Sequence, residues 1–167
     1  EIIVLNDRST DSTESILEEL SQDSGSNNFR FINGSETPEG WLGKPHALKQ
    51  AFEAAKGDWV LMTDADIVFD QSAIRTAVAY AERFDLDALS LLPRQRLGSF
   101  WEQIFIPVFA WFCLLVRPLH RVNDPRGTAS LGSGNFFLLK REAIDAVGGF
   151  EAFKDDVAED LKLAQLL

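Results

Sequence analysis

The chain has 167 residues, the length of one ordinary domain, and 46% of them are hydrophobic against 25% charged, which is globular rather than disordered. Its net charge of -10 argues against a general nucleic-acid binder, which needs a basic footprint. The single cysteine, Cys113, excludes an internal disulfide framework and reads as a small hydrophobe in an apolar run.

Glu1 to Leu5 is apolar and β-branched, the pattern of a central strand. A polar turn, Asn6 to Asp11, follows it. Asp11 with Glu14 predicts a capping box at the start of a helix, and Ile16, Leu17 and Leu20 predict its buried face. Ser21 to Asn28 reads as a loop and Phe29 to Ile32 as a second strand. Asn33 to Gly43 is a glycine-containing loop. Pro45 suits the first turn of the next helix, with Leu48, Ala51, Phe52 and Ala55 facing inward and Gly57 ending it.

Trp59 to Met62 predicts a third strand, stopping at Thr63-Asp64-Ala65-Asp66. Asp70 is placed to cap a helix whose inner face carries Ala73, Ile74, Ala77, Val78 and Ala81. Strands are further predicted at 88–92 and 134–139, with short helices from Arg141 and from about Ala158. Strand and helix alternate from residue 1 to residue 92, the signature of βαβ units around a mostly parallel sheet. The expectation is an α/β, three-layer αβα sandwich. Ligands of such sheets sit beyond the carboxyl ends of the strands, so Asp7, Asp64 and Asp66 are expected at one active edge. Neither the glycine fingerprint of dinucleotide folds nor a P-loop is present.

Residues 100–112 break the alternation with Phe100, Trp101, Phe105, Phe109, Trp111 and Phe112. The run from Ile104 to Val116 carries no charge and is too short to span a bilayer. A buried helix is the plain reading. An interfacial element meeting lipid is the functional one, favoured by the aromatics and by Arg117, His120 and Arg121 beside the run. From 91 to 127 five arginines face two acids, whereas from 1 to 40 nine acids face two arginines. An anionic membrane surface suits that asymmetry.

Asp64 and Asp66, two positions apart on a turn, can both reach one hard divalent cation that keeps positions open for phosphates, or can simply be a polar strand end. Asp7 can accept from a nucleobase or a ribose hydroxyl, or pair with Arg8. Lys44 offers a point charge for phosphate or is solvated, and His46 reads as a surface or helix-start residue. Glu159 and Asp160, with Asp155 and Asp156 before them, suit a helix start in any case and also suit a general base. Gly132, Gly134 and Asn135 allow close backbone approach to a ligand, or form a tight turn into a strand.

The ordered set of Asn6 to Asp11, Gly40-Trp41-Leu42-Gly43-Lys44-Pro45-His46-Ala47-Leu48, Thr63 to Asp66, Gly132-Ser133-Gly134-Asn135, Gly148-Gly149-Phe150 and Glu159-Asp160 resembles family 2 glycosyltransferases of the GT-A fold. The Gly-Trp-x-Gly-Lys stretch is most similar to the branch that glycosylates lipid-like acceptors: the carotenoid, hopanoid-associated and ceramide glucosyltransferase-like enzymes. The resemblance implies an inverting transfer of a hexose from a nucleotide-diphosphate sugar such as UDP-glucose to a hydroxyl of a lipid-like acceptor. It implies that Asp7 and Lys44 bind the nucleotide, that Asp64 and Asp66 bind Mg²⁺ or Mn²⁺ and the diphosphate, and that Gly134 and Asn135 line the sugar and acceptor side. Asp160 is then the base, with Glu159 beside it. It further implies a nucleotide-binding half over 1–92, a membrane-facing insertion over 93–130 and an acceptor half over 131–167. The protein would work at the cytoplasmic face of the cell membrane.

The sequence opens inside a strand and closes inside a helix, without the first strand of the fold and without the later Gln-x-x-Arg-Trp type motif. It reads as a fragment of a longer protein, truncated at both ends. Two rivals remain: a nucleotidyltransferase on a similar sheet, and a nucleotide-sugar-binding module without turnover.

Overall fold

The structure, a computed structural model, describes residues 1–23, 28–116, 121–124, 127 and 129–167. Residues 24–27 of the first expected loop, and the basic residues Arg117, His120 and Arg126, lie outside the described residues. The chain divides into two units: residues 1–61 with 138–159, and residues 62–137 with 160–167.

In the first unit, β1 (Ile2–Asn6) runs parallel to β2 (Phe29–Asn33), in register from Ile2 against Phe29 to Asn6 against Asn33. Parallel neighbours need a crossover. Helix α1 (Thr13–Asp23) supplies it and packs on β2. The Asp11 carboxylate accepts from the Thr13 amide at 3.0 Å and from its hydroxyl at 2.6 Å. These bonds, the hydroxyl first, hold the Asp11 carboxyl below its ordinary range. The expected capping box does not form. Glu14 instead accepts from the Asn33 side chain at 2.6 Å, because β2 ends beside it. Only Leu17 of the expected inner face is buried; Ile16 and Leu20 are exposed, since a two-stranded sheet is a narrow platform.

Helix α2 (Gly43–Ala54) begins as its Pro45 predicts and ends three residues before Gly57. Its Phe52 is buried against Phe150, ring centroids 5.3 Å apart, and Phe150 meets Phe153 at 5.2 Å. The end of α2 is capped from a distance. Arg141 donates to the carbonyls of Ala55 at 2.6 Å and Gly57 at 3.1 Å, with its guanidinium over the Phe52 ring. A cation is favoured at a helix C-terminus, where carbonyls lack partners.

Strands β3 (Trp59–Met62), β4 (Ala88–Ser90) and β5 (Phe137–Lys140) form a second sheet in the order β3-β5-β4. Among the described residues the strands thus form two small sheets where the sequence pattern predicts one, and β1 with β2 is a parallel pairing. The strand predicted at 134–139 starts later. Phe136 donates its amide back to Ser133, so the preceding residues form a turn. Helix α5 (Arg141–Ala146) follows β5 and stops at Gly148 and Gly149, whose φ of 93° and 64° lie in the left-handed region. A 3₁₀ turn over Gly149–Phe153 then closes the core of Leu138, Leu139, Ile144, Phe150 and Phe153.

In the second unit, α3 (Ala73–Arg83) packs on β4 through buried Ala77 and Ala81, while Ile74 is exposed against expectation. Small alanines let the helix approach closely, which leaves the larger residue outside. Asp70 starts the helix from three residues before its first residue, Ala73, accepting from the Ser72 hydroxyl at 2.6 Å and amide at 2.9 Å. The last helix, whose range Glu159–Leu166 begins where the first unit ends, is α6, and it buries Leu163.

The aromatic segment is α4 (Phe100–Val116), and none of its residues is buried. Its six aromatic side chains are 58% to 68% exposed, which overturns the buried-helix reading. The helix has a capping box of its own. Glu102 accepts from the amides of Gly98 at 2.7 Å and Ser99 at 3.0 Å, while the Ser99 hydroxyl accepts from the Glu102 amide at 3.2 Å. Among the described residues no helix is long and apolar enough to cross a membrane.

These two environments predict opposite responses to truncation. Phe153→Ala removes a side chain that is 1% exposed and should cost about 3–5 kcal/mol of unfolding free energy. Replacing Phe105, Phe109 and Phe112 together by serine should leave the unfolding free energy within about 0.5 kcal/mol per site of the parent. Denaturant titration of both variants checks this.

Candidate active site

In the second unit the site is organised by the turn 132–135. The Gly134 carbonyl accepts from the Asp64 amide at 3.1 Å, and the Asn135 carbonyl accepts from the Thr63 hydroxyl at 2.9 Å. The Gly134 amide donates to Asp160 Oδ2 at 2.8 Å. Asp160 Oδ1 accepts from the Leu161 amide at 2.7 Å. One turn therefore ties the Thr63–Asp66 segment on one side to the start of α6 on the other. Gly132 makes the approach possible: a Cβ there would lie 2.1 Å from the Asp160 carbonyl oxygen and 3.0 Å from the Phe137 ring.

Asp64 is half-buried and Asp66 is exposed on the turn that leaves β3. Among the described residues no group of three or more His, Cys, Asp or Glu is disposed to hold a metal. Two neighbouring carboxylates still fit the donor set of Mg²⁺ or Mn²⁺. Such a hard cation takes one or two protein carboxylates and fills its other positions with phosphate oxygens and water.

The first unit carries Asp7, Lys44 and Glu159. Asp7 directly follows β1 and pairs with Arg8, Nε to Oδ1 at 3.0 Å. Arg8 itself has a positive φ of 57° and reaches on to the Thr37 hydroxyl at 3.2 Å. Both side chains of the pair are partly exposed, so its net worth is about 0–1 kcal/mol and a ligand can displace it. Lys44, in the first turn of α2, meets Glu159 at 2.8 Å. The Glu159 side chain is 7% exposed and that of Lys44 is 51% exposed. Nearby, Lys49 binds Glu151 at 2.8 Å and sits 5.0 Å from the centroid of the Trp41 ring. The Leu42 amide donates to the Lys154 carbonyl at 2.8 Å. The glycine-rich stretch 40–48 is thus tied to residues 151–159.

His46 lies in the first turn of α2, one of the two places expected of it, and is buried rather than at the surface. Its ring meets Trp41 edge-on at 5.7 Å, and its Nδ1 lies 3.2 Å from Gln50 Nε2. Trp41, five residues earlier in the chain, thus covers part of the imidazole. Arg141 was also not among the expected site residues; its role is to close α2, and no local pattern signals it.

Residues 1–160 match the family described as glycosyl transferase family 2. The chain belongs to that family. It is 29% identical over 166 residues to a poly-beta-1,6-N-acetyl-D-glucosamine synthase of Staphylococcus aureus (strain COL), and 28% identical to the protein of the same name from Staphylococcus epidermidis. Each alignment covers 98% of this chain and 37% of the relative. The chain therefore spans little more than a third of the length of these curated relatives. Their name is that of a polysaccharide synthase, where the motif resemblance points to the lipid-glycosylating branch. The fold is shared with the mannosyltransferase PcManGT from Pyrobaculum calidifontis, solved with GDP-Man and Mn²⁺: the TM-score is 0.67 at 22% identity, over 97% of this chain and 40% of that one. That likeness establishes a GT-A type of fold.

Two substitutions probe the geometry. Lys44→Met leaves the buried Glu159 carboxylate without its ammonium partner and should cost about 1–3 kcal/mol in denaturant titration, with part regained on adding Glu159→Gln. Gly132→Ala should cost more, because backbone and not a flexible side chain occupies the space; a melting curve unchanged from the parent would refute the close approach.

Proposed function

We propose that the protein is an inverting glycosyltransferase that moves a hexose from a nucleotide-diphosphate sugar to a hydroxyl of a lipid-like acceptor at a membrane surface. Family membership supports the reaction class. The observation that carries the assignment of roles is the contrast between two adjacent carboxylates. Glu159 is buried and neutralised by Lys44. Asp160 has only neutral backbone amides as partners among the described residues. A general base must keep a lone pair and an uncompensated negative charge. Asp160 meets that condition and Glu159 does not, so Glu159 is read as the group that holds Lys44 and the start of α6 in place.

In this reading the acceptor oxygen attacks the anomeric carbon as its proton passes to Asp160. The bond from that carbon to the diphosphate breaks, and the electron pair leaves with the nucleoside diphosphate. One displacement inverts the centre. Asp64 and Asp66 would hold Mg²⁺ or Mn²⁺, which when bound offsets charge on the leaving diphosphate. Asp7 binds the nucleoside, with Lys44 beside the diphosphate, as residues of the nucleotide-binding half 1–92. Gly134 and Asn135 line the sugar side.

The lipid-like acceptor and the membrane surface are supported by α4, whose apolar side chains are exposed along its whole length. UDP-glucose is the donor favoured by the motif resemblance, and the cytoplasmic face is where such donors are found. A saccharide acceptor is the second reading, favoured by the name of the Staphylococcus relatives.

With full-length protein, UDP-glucose, Mn²⁺ and hydroxyl-bearing lipids, release of UDP should be observed and release of pyrophosphate should not; pyrophosphate would indicate nucleotidyl transfer. Asp160→Asn should lower turnover by about 10²–10⁴-fold with donor affinity little changed. Asp66→Ala should remove the metal-dependent part of donor binding in calorimetry. Equal donor affinity of parent and Asp66→Ala with and without Mn²⁺ would take Asp66 out of the site. Donor binding without any turnover would favour the non-catalytic module.

A further inference from the structure

The second unit contains a cavity of about 890 Å³, most of whose lining has no role in the reaction scheme above. Its size lies in the range of about 300–1,000 Å³ typical of small-molecule sites. Three kinds of group line it. Asp66 and Asn135 come from the proposed transfer site. Ile67, Val68, Leu91 and Leu92 supply an apolar wall. Arg94 and Arg96 come from the loop between β4 and α4.

The apolar wall is the first telling feature. Val68 is 78% exposed and Leu92 is 62% exposed, so these side chains face the cavity and solvent without protein cover. A nucleotide or a free sugar gains little from such a wall; a hydrocarbon chain gains about 25 cal/mol for each Å² it removes from water. The arginines are the second. Among the described residues neither Arg94 nor Arg96 forms an ion pair, although the chain as a whole carries a net charge of -10. An unpaired guanidinium pair beside an apolar wall is suited to a group that is both acidic and attached to hydrocarbon, since the planar fork matches phosphate and carboxylate oxygens. The third is continuity. The loop of Arg94 and Arg96 runs into the capping box at Ser99 and Glu102 that starts α4, the helix with no buried residue. The cavity wall and the exposed apolar helix are consecutive in the chain.

We infer that this cavity is the acceptor subsite and that it takes an anionic amphiphile: a hydrocarbon chain against Ile67, Val68, Leu91 and Leu92, an acidic group at Arg94 and Arg96, and the reacting hydroxyl toward Asn135, whose turn also binds the proposed base Asp160. The inference rests on the proposed glycosyl transfer and narrows its acceptor from lipid-like to acidic and lipid-like. The acidic group belongs to the acceptor itself and not to the surrounding bilayer.

The test separates binding from turnover. Octyl phosphate, octyl glucoside and inorganic phosphate are titrated calorimetrically into full-length protein and into its Arg94→Gln/Arg96→Gln variant, with circular dichroism checking that the variant is folded. Octyl phosphate should bind the parent at least tenfold more tightly than inorganic phosphate. The variant should lose roughly 10- to 100-fold of that affinity while octyl glucoside is unaffected. Leu92→Ser should weaken octyl phosphate and leave inorganic phosphate unchanged. Equal affinity of parent and variant for octyl phosphate would overturn the inference. So would displacement of octyl phosphate by UDP together with loss of UDP affinity in the variant, which would make the arginines part of the donor site. In a second arm, KM is measured for an anionic hydroxyl lipid in neutral phosphatidylcholine vesicles and for a neutral hydroxyl lipid in anionic vesicles. The variant should raise KM only in the first; a rise confined to the second would assign the arginines to the bilayer and overturn the inference. Arginine-dependent binding of octyl phosphate with no turnover of any nucleotide sugar would uphold the subsite and defeat the proposed reaction instead.

Discussion

The Asp160 carboxylate is the fixed point of the second unit. Its two oxygens accept from the amides of Gly134 and Leu161, so a backbone turn and a helix start are held by one side chain. The same turn spends its carbonyls on the other side, where Gly134 and Asn135 accept from Asp64 and Thr63. Buried backbone groups need partners, and this arrangement supplies them while joining segments distant in sequence. It works only because position 132 lacks a Cβ. The carboxylates proposed for metal and base are therefore related through main-chain atoms. Side-chain changes on the turn can retune its ligand contacts without moving them, whereas any added atom at Gly132 moves both.

What the sequence disclosed was whatever depends on neighbours within one element. The strand ends at Asp7 and Asp64, the proline start of α2 and the glycine stop after α5 all follow from residues within a few positions of each other. Asp11 and Asp70 were legible as helix-start carboxylates, but each binds a hydroxyl residue two positions on: Thr13, the first residue of α1, and Ser72, the residue before α3. What stayed hidden depends on the far side of each contact. The Lys44–Glu159 pair, the burial of His46 under Trp41 and the closure of α2 by Arg141 join segments with no shared periodicity. One local signal was present and passed over. Ser99 and Glu102, three residues apart, form a capping box, an ordinary helix start directly before the aromatic run.

The inner faces of α1 and α3 show why periodicity overstates burial. A stripe of apolar residues marks what a helix can bury, and the size of the platform decides how much it does. Behind α1 lie two strands, and a single leucine is covered. On α3 two alanines are buried and the isoleucine is not. Helix α4 is the limit of the same argument, with an apolar surface and no buried residue at all. A hydrophobic helix that buries none of its residues leaves most of its transfer free energy unrealised in water. Capping by Ser99 and Glu102 fixes where such a helix starts, but it contributes too little to repay exposure of six aromatic rings.

The distribution of charge gives that exposure a direction. The acids that give the chain its net charge of -10 are densest in residues 1–40, where the nucleoside end of the donor is proposed to bind. The arginines gather between residues 91 and 127, on either side of α4. A surface that is apolar inside and anionic outside would attract the second segment and repel the first. The acceptor and donor proposed above would differ most in their affinity for such a surface, one partitioning into hydrocarbon and the other excluded from it. A transferase that must bring them together needs one wet approach and one apolar approach, and the two halves of this sequence supply chemistry suited to each.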